Sequence, residues 1–280
     1  MTMSAPSPEA SQKVRSVVAD VNYLARHCDK PSLNNGDFTK NVFPSEPVAV
    51  EILDAETFAV PPSLDTEGFC RVQHEYDIAG LADSPAAAVP YRESLAALIK
   101  KVSGADEVCM MGHSLVRRQA ASKITKDIES SLPADFVHSD STDKGAAEGE
   151  RFFYPPPSRP GLRRTAAVNL WKLLSSSPTP YPLAVCDARS LGAEDITPGP
   201  AYFPSIDGTI DTAFFHPNGR FRWIYFSKLT SHEILLFKQY DSDARYPTRV
   251  PHTAFKDPSC PSNAEPRISI ESRCLLRWYN

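Results

Sequence analysis

Residues 136–140 read Phe-Val-His-Ser-Asp, which puts His138 and Asp140 two positions apart directly after an apolar pair. On an extended strand alternate side chains point to the same side, so both can reach one cation. Two imidazoles and one carboxylate on one face of an octahedral Fe(II) ion leave the opposite positions open for substrate and oxygen. The tripeptide alone is a weak signal. The chain has seven histidines, and His27-Cys28-Asp29 repeats the spacing just before a turn-forming "KPSLNNGDF" stretch, where a solvated element end is the expected environment.

A second imidazole must come from a distant strand. His216 lies in "FFHPNGRF", where Pro-Asn-Gly demands a tight turn, and His232 opens the "EILLFKQY" run beside Glu233. His252, in the short apolar segment "VPHTAFKDP", is followed fifteen positions later by Arg267-Ile268-Ser269. A guanidinium fork matches a carboxylate bidentately, and a hydroxyl two residues on shares its strand face. Arg267 and Ser269 can therefore hold the far carboxylate of a dicarboxylic co-substrate whose other end chelates a metal held by His138, Asp140 and His252. Arg92-Glu93-Ser94 matches the same short pattern but falls in an expected helix with no histidine suitably placed. Arg267, Ser269, Glu271 and Arg273 alternate on one face of their strand, a polar face suited to lining a pocket, with Glu265 and Glu271 as the ordinary ion-pair alternative for Arg267.

The elements that position these residues are mainly short strands. Twenty-six prolines against twelve glycines in 280 residues favour many short elements joined by stiff loops. "PVAVEIL", "GFCRVQHEY" and residues 106–118 read as strands. From about residue 134, short apolar runs separated by Pro, Ser, Gly and Asp clusters indicate a sandwich or barrel. Residues 89–103 have helical spacing, with Pro90 near the start and Gly104 beyond the end. Ser7-Pro8-Glu9 and the spacing of Val14, Val17, Val18, Val21 and Leu24 predict a further helix at the N-terminus. Trp171, Trp223 and Phe226 are expected in the core, Cys186 and Cys274 as buried thiols, and Asp187 with Arg189 as an internal ion pair or a site.

A net charge of −4 gives no electrostatic footprint for nucleic acid or an anionic membrane. No apolar run is long enough for a membrane span. The N-terminus lacks the apolar core of a signal peptide, and six cysteines without pairing motifs suit a reducing compartment, so cytosol is the expected address. No dinucleotide fingerprint, phosphate-binding loop, nucleophile elbow or CxxC is present.

With these residues in place, the stretches "GFCRV", "VHSD", "AVNLWKLL", "YPLAVCDARSL", "EILLFKQYDSD", "VPHTAF" and "PRISIESR" resemble, in order from about residue 68 to the C-terminus, the Fe(II)/2-oxoglutarate-dependent oxygenases of the fungal hydroxylase/desaturase family of secondary metabolism. The resemblance implies Fe(II) held by His138, Asp140 and His252, and 2-oxoglutarate anchored by Arg267 and Ser269. It adds Asn169 as a supporting co-substrate residue, and His113, Arg117 and Trp171 as pocket-lining residues on the substrate side. Leu173, where the family commonly has proline, and His232 depart from the pattern without touching the metal chemistry.

The fold expected is a distorted double-stranded β-helix, the jelly-roll kind, from about residue 130 onward. Residues 46–130 add flanking elements to the same domain, preceded by an N-terminal helix and extended arm over 1–45. The expected partners are a small-molecule natural-product intermediate and O2, with no nucleic acid or membrane; a homodimer is the candidate assembly. Two other readings remain: a non-catalytic β-sandwich binding module, and a cupin-type metal enzyme that does not use 2-oxoglutarate.

Overall fold

β-branched and aromatic residues dominate the runs that become strands, and proline and glycine clusters end them. The computed structural model describes residues 14–81, 86–119 and 130–280. In chain order the first elements are β1 (Ser16–Leu24), β2 (Leu33–Asn34), β3 (Ser45–Asp54) and β4 (Phe69–Gln73). Helix α1 (Ala88–Ser103) precedes β5 (Glu107–Met110), β6 (Leu115–Arg118), β7 (Ser130–Ser131) and β8 (His138–Ser139). Helix α2 (Asp143–Phe153) is followed by β9 (Leu162–Leu173), β10 (Leu183–Cys186), β11 (Ile196–Phe203) and β12 (Gly208–Phe215). The last four strands are β13 (Trp223–Tyr225), β14 (Glu233–Asp241), β15 (His252–Ala254) and β16 (Ile268–Tyr279).

Two sheets make a distorted double-stranded β-helix. The nine-stranded sheet runs β1-β3-β13-β10-β15-β8-β12-β11-β2, and the other runs β4-β14-β9-β16-β6-β7, with β5 also paired to β16. Trp171, Leu173, Leu235 and Phe237 from one sheet meet Leu183, Val185 and Ile224 from the other in the space between them. The opposite face of the smaller sheet packs Ile270, Cys274 and Leu276 against Tyr91, Leu95 and Ile99 of α1. The first half of β16 therefore separates a polar inner face from an apolar outer one, as its alternation predicts. Gly104, past the end of α1, takes φ 64°, the left-handed turn that glycine permits. Among the described residues no helix is long and apolar enough to cross a membrane.

The N-terminal helix is a strand. Val17, Ala19, Val21 and Tyr23 alternate inward, while Val18 is 63% exposed. Val17 and Val21 fit both periods, Val18 only the helical one and Ala19 and Tyr23 only the period of two, and β-branched residues favour the pleated form. β1 pairs with β3 in the nine-stranded sheet, and the Trp223 indole N–H donates to the Tyr23 hydroxyl at 2.7 Å. Residues expected in a separate arm thus belong to the sheet. The Ser7-Pro8-Glu9 start lies outside the described residues. Residues 106–118 form two strands, not one, broken at Gly112 and His113.

The loop after β8 is fixed by α2. Thr142 caps the helix, its hydroxyl accepting from the Gly145 N–H at 3.1 Å, and also bonds to the Asp211 carboxylate. A Cβ at Gly145 would lie 1.9 Å from the Asp211 carbonyl oxygen of β12, too close for any side chain. Gly145→Ala is expected to cost about 1–3 kcal/mol by forcing α2 off β12. A urea midpoint equal to that of the wild type would contradict this account.

Candidate metal centre

β8 delivers His138 and the loop after it delivers Asp140; β15 delivers His252. The two strands are antiparallel neighbours with His138 and His252 directly opposite, so both imidazoles leave the same sheet face, with ring centroids 4.4 Å apart. Asp140 Oδ1 lies 3.7 Å from His138 Nε2 and 3.9 Å from His252 Nε2. One ligand atom from each of the three residues falls within 4.8 Å of the others. Both histidines are buried, while the Asp140 side chain is 22% exposed, so the cluster opens on the carboxylate side.

The other ring nitrogens fix the tautomer. His138 Nδ1 sits 3.0 Å from the Phe136 carbonyl and His252 Nδ1 sits 3.2 Å from that of Val250. A carbonyl can only accept, so each Nδ1 carries the proton and each Nε2 presents its lone pair to the cluster. Burial drives both imidazoles down, His138 to about 3 and His252 to about 4, so both are neutral at neutral pH, the form that could ligate a metal. Burial works to raise the Asp140 carboxyl. The Arg273 guanidinium, the two imidazoles and the Asn169 amide outweigh it and hold the group well below the usual carboxylate range.

These shifts have a sign. An imidazole whose folded value lies below its unfolded 6.5 binds fewer protons when folded, so its contribution is full above pH 6.5 and is lost as pH falls toward about 4. The metal-free protein is expected to lose stability over that window, and His252→Gln to flatten the dependence. Chemical denaturation at pH 7 and pH 5 checks it; parallel curves for the two proteins would sink the idea.

Polar neighbours hold the loop in place. Gln239, on β14, accepts from the Ser139 hydroxyl at 2.8 Å and the Asp140 N–H at 2.7 Å. Asn169 Nδ2 donates to Asp140 Oδ2 at 2.9 Å and to Glu271 Oε1 at 3.3 Å. Arg273 Nε donates to Asp140 Oδ2 at 2.7 Å, and its Nη2 lies 2.5 Å from Glu271 Oε1.

Arg267 is 2% exposed. Its Nε donates to the Ser269 hydroxyl at 3.1 Å and its Nη1 to the Tyr181 carbonyl at 2.9 Å; its guanidinium carbon lies 4.9 Å from the centroid of the Trp171 ring. Among the described residues it meets no carboxylate. Glu271 is taken by Arg273, and Glu265 accepts from the Ser176 N–H instead. Burial, with the Arg117 charge adding to it, lowers the guanidinium to about 9. The Trp171 indole N–H, also buried, has no acceptor among the described residues. Arg117 stands opposite Ser269 in the β6–β16 register, on the same sheet face.

The remaining candidates lie elsewhere. His232 is exposed and pairs with Glu75 at 2.7 Å; His216 Nδ1 bonds to the Leu24 carbonyl. His27 and Asp29 are exposed beyond the end of β1. His113 is exposed between β5 and β6. Asp187 and Arg189 form the ion pair, at 2.7 Å. Cys186 and Cys274 are buried thiols, and Trp223 and Phe226 are core.

A family model described as an oxidoreductase/YMDC permease-like domain matches residues 21–277. A hydroxylase/desaturase of Hormonema carpetanum is 32% identical over 262 residues, 86% of this chain and 86% of the relative. The chain belongs to the hydroxylase/desaturase family. Another hydroxylase/desaturase, of Cercospora beticola, is 31% identical over 77% of this chain and 72% of its own length. An Fe(II)/2-oxoglutarate-dependent dioxygenase of Aspergillus novofumigatus is 31% identical over 69% of this chain and 68% of its own length. Among solved structures, a variant of the iron and alpha-ketoglutarate-dependent endoperoxidase NvfI superposes with TM-score 0.80 at 26% identity, over 97% of this chain and 100% of that one.

Within this family frame two residues at the cluster had no role assigned from the sequence. Arg273 stood on the predicted polar face of β16, but its partner Asp140 is 133 positions away. Gln239 had one available signal, a polar residue inside the buried "EILLFKQYD" run. Gln239→Met leaves the Ser139 and Asp140 donors unmet and is expected to cost about 1–3 kcal/mol. An unchanged thermal midpoint would show that these bonds contribute nothing net.

Proposed function

We propose that His138, Asp140 and His252 hold one Fe(II), that Arg267 and Ser269 anchor the far carboxylate of 2-oxoglutarate, and that the protein oxidises a small-molecule natural-product intermediate. The enzyme is an Fe(II)/2-oxoglutarate-dependent dioxygenase that hydroxylates or desaturates its substrate. The observation that carries the residue assignment is a convergent set of ligand atoms next to a strand that also carries a buried, carboxylate-free guanidinium. Two neutral imidazoles and a carboxylate converge, and Arg267, just before the β16 strand whose Arg273 reaches Asp140, has no anionic partner among the described residues. Two nitrogens and one oxygen suit Fe(II), and the buried guanidinium suits a dicarboxylate.

Bound at this centre, Fe(II) with 2-oxoglutarate and O2 supplies the oxidation, with succinate and CO2 as co-products. The chain's own part is geometry. Nδ1 bonds to Phe136 and Val250 aim the imidazoles. Gln239 holds the backbone of the Ser139-Asp140 step. Asn169, its Nδ2 donating to Asp140 and Glu271, supports the co-substrate side of the centre by fixing the metal carboxylate. Trp171 supports the Arg267 guanidinium from below. Arg117 flanks the anchor and is assigned to the substrate side.

A non-catalytic binding module would have no use for this pairing, and a cupin-type enzyme that does not use 2-oxoglutarate would not need Arg267. The test is co-substrate turnover without added substrate: wild-type protein with Fe(II), ascorbate and O2 should convert 2-oxoglutarate slowly to succinate. No succinate above the protein-free control, with this or any tested small-molecule substrate, would reject the reading.

A further inference from the structure

Asp140 divides its two oxygens between two tasks. Oδ1 faces the imidazoles, at 3.7 and 3.9 Å from the two Nε2 atoms. Oδ2 accepts from Arg273 Nε at 2.7 Å and from Asn169 Nδ2 at 2.9 Å. An ionised carboxylate offers about four lone-pair positions, two per oxygen, so these two donors use up what Oδ2 has. We propose that Arg273 is a positioning residue that restricts Asp140 to ligating the metal through one oxygen. The inference rests on the assignment of the metal to His138, Asp140 and His252.

The restriction matters because the positions on the ion are few. Two imidazoles and one carboxylate oxygen leave about three of six octahedral positions open. The keto-acid end of the co-substrate takes two and O2 needs the third. A second Asp140 oxygen on the ion would remove one of them. A neutral donor alone could occupy Oδ2, but a charged fork binds it more strongly and in a fixed plane. Its charge carries a risk, since a lone cation beside Asp140 would weaken the carboxylate's attraction for the metal. Glu271 offsets this: it lies 2.5 Å from Arg273 Nη2 and shares Asn169 with Asp140. The set Asp140, Arg273 and Glu271 keeps one net negative charge for the cation. The Arg273 side chain reaches both carboxylates because Arg273 and Glu271 share a strand face, and Asn169 is directly opposite Arg273 on β9.

Mn(II) reports the number of metal-bound waters through the relaxation of solvent protons, without any turnover. The informative variant is Arg273→Met combined with Glu271→Gln, which removes both charges together and strands neither. Wild-type protein should show about three waters on Mn(II), the number of open octahedral positions. The double variant should keep Mn(II) within a few-fold of wild-type affinity, lose about a third of the relaxation enhancement, and bind 2-oxoglutarate roughly tenfold more weakly. Arg273→Lys keeps the charge beside Glu271 but lacks the fork, and should move the same readouts in the same direction. It decides the matter if the double variant does not fold. Full relaxation enhancement in a folded variant would overturn the proposal, as would loss of Mn(II) altogether, which would make Arg273 a residue of metal retention. Wild-type Mn(II) binding that survives His252→Ala would instead sink the metal assignment, and this proposal with it.

Discussion

His252→Ala is expected to empty the metal centre. Among the described residues the cluster offers Fe(II) three protein ligands, one oxygen and two nitrogens within 4.8 Å of one another. Partners outside the ligand shell typically change metal affinity 10–100-fold, so loss of a ligand should exceed about 100-fold. Activity dependent on added Fe(II) should fall to background. His216→Ala, His27→Ala and His232→Ala should leave binding unchanged, since His232 lies on the surface against Glu75 and His216 bonds to the Leu24 carbonyl. Equilibrium dialysis against Fe(II) under anaerobic conditions separates these cases. If His232→Ala empties the site and His252→Ala does not, the distal ligand is misassigned.

Arg267→Leu should act with opposite signs on co-substrate binding and on stability. A buried guanidinium without a carboxylate carries a desolvation cost of several kcal/mol, partly met here by Ser269, the Tyr181 carbonyl and the Trp171 ring. Leucine removes that cost, so the metal-free variant should be as stable as wild type or more so. The same change deletes the charged fork, and the concentration of 2-oxoglutarate needed for half saturation should rise by roughly one to three orders of magnitude. Fe(II) affinity should change little. Normal 2-oxoglutarate binding by a folded variant would remove Arg267 from the site. A variant that loses stability and co-substrate affinity together would point to a role in holding the fold.

The convergence of His138, Asp140 and His252 was legible in the sequence because a spacing of two at a strand end brings side chains to one side, here with Asp140 in the loop just after β8. His138 and Asp140 are two apart, and the alternation from Arg267 to Arg273 survives intact as the inner face of β16. Distance in sequence hid what surrounds them. Asp140 meets Gln239 across 99 positions and Arg273 across 133, pairings that depend on how two sheets close. Asn169 was legible as a neighbour of the site, yet its amide turns to two carboxylates, which spacing could not reveal. The N-terminal segment misled for a different reason. Val17 and Val21 satisfy a helical and a strand period at once, and the exposure of Val18 with the burial of Ala19 and Tyr23 against the rest of the sheet resolves the ambiguity. The break at Gly112-His113 was equally invisible, because both halves of that segment pair with the same long strand.

In the proposed centre Fe(II) binds through His138, Asp140 and His252, and 2-oxoglutarate then binds through the open positions and Arg267. Anaerobic titration of the protein with Fe(II) and then 2-oxoglutarate, followed by visible absorption, tests this most directly. A weak metal-to-keto-acid charge-transfer band should appear and saturate at about one Fe(II) per chain. It should be absent in His252→Ala, and in Arg267→Leu it should return only at much higher 2-oxoglutarate. No band in the wild type, or an undiminished band in His252→Ala, would contradict the proposed centre.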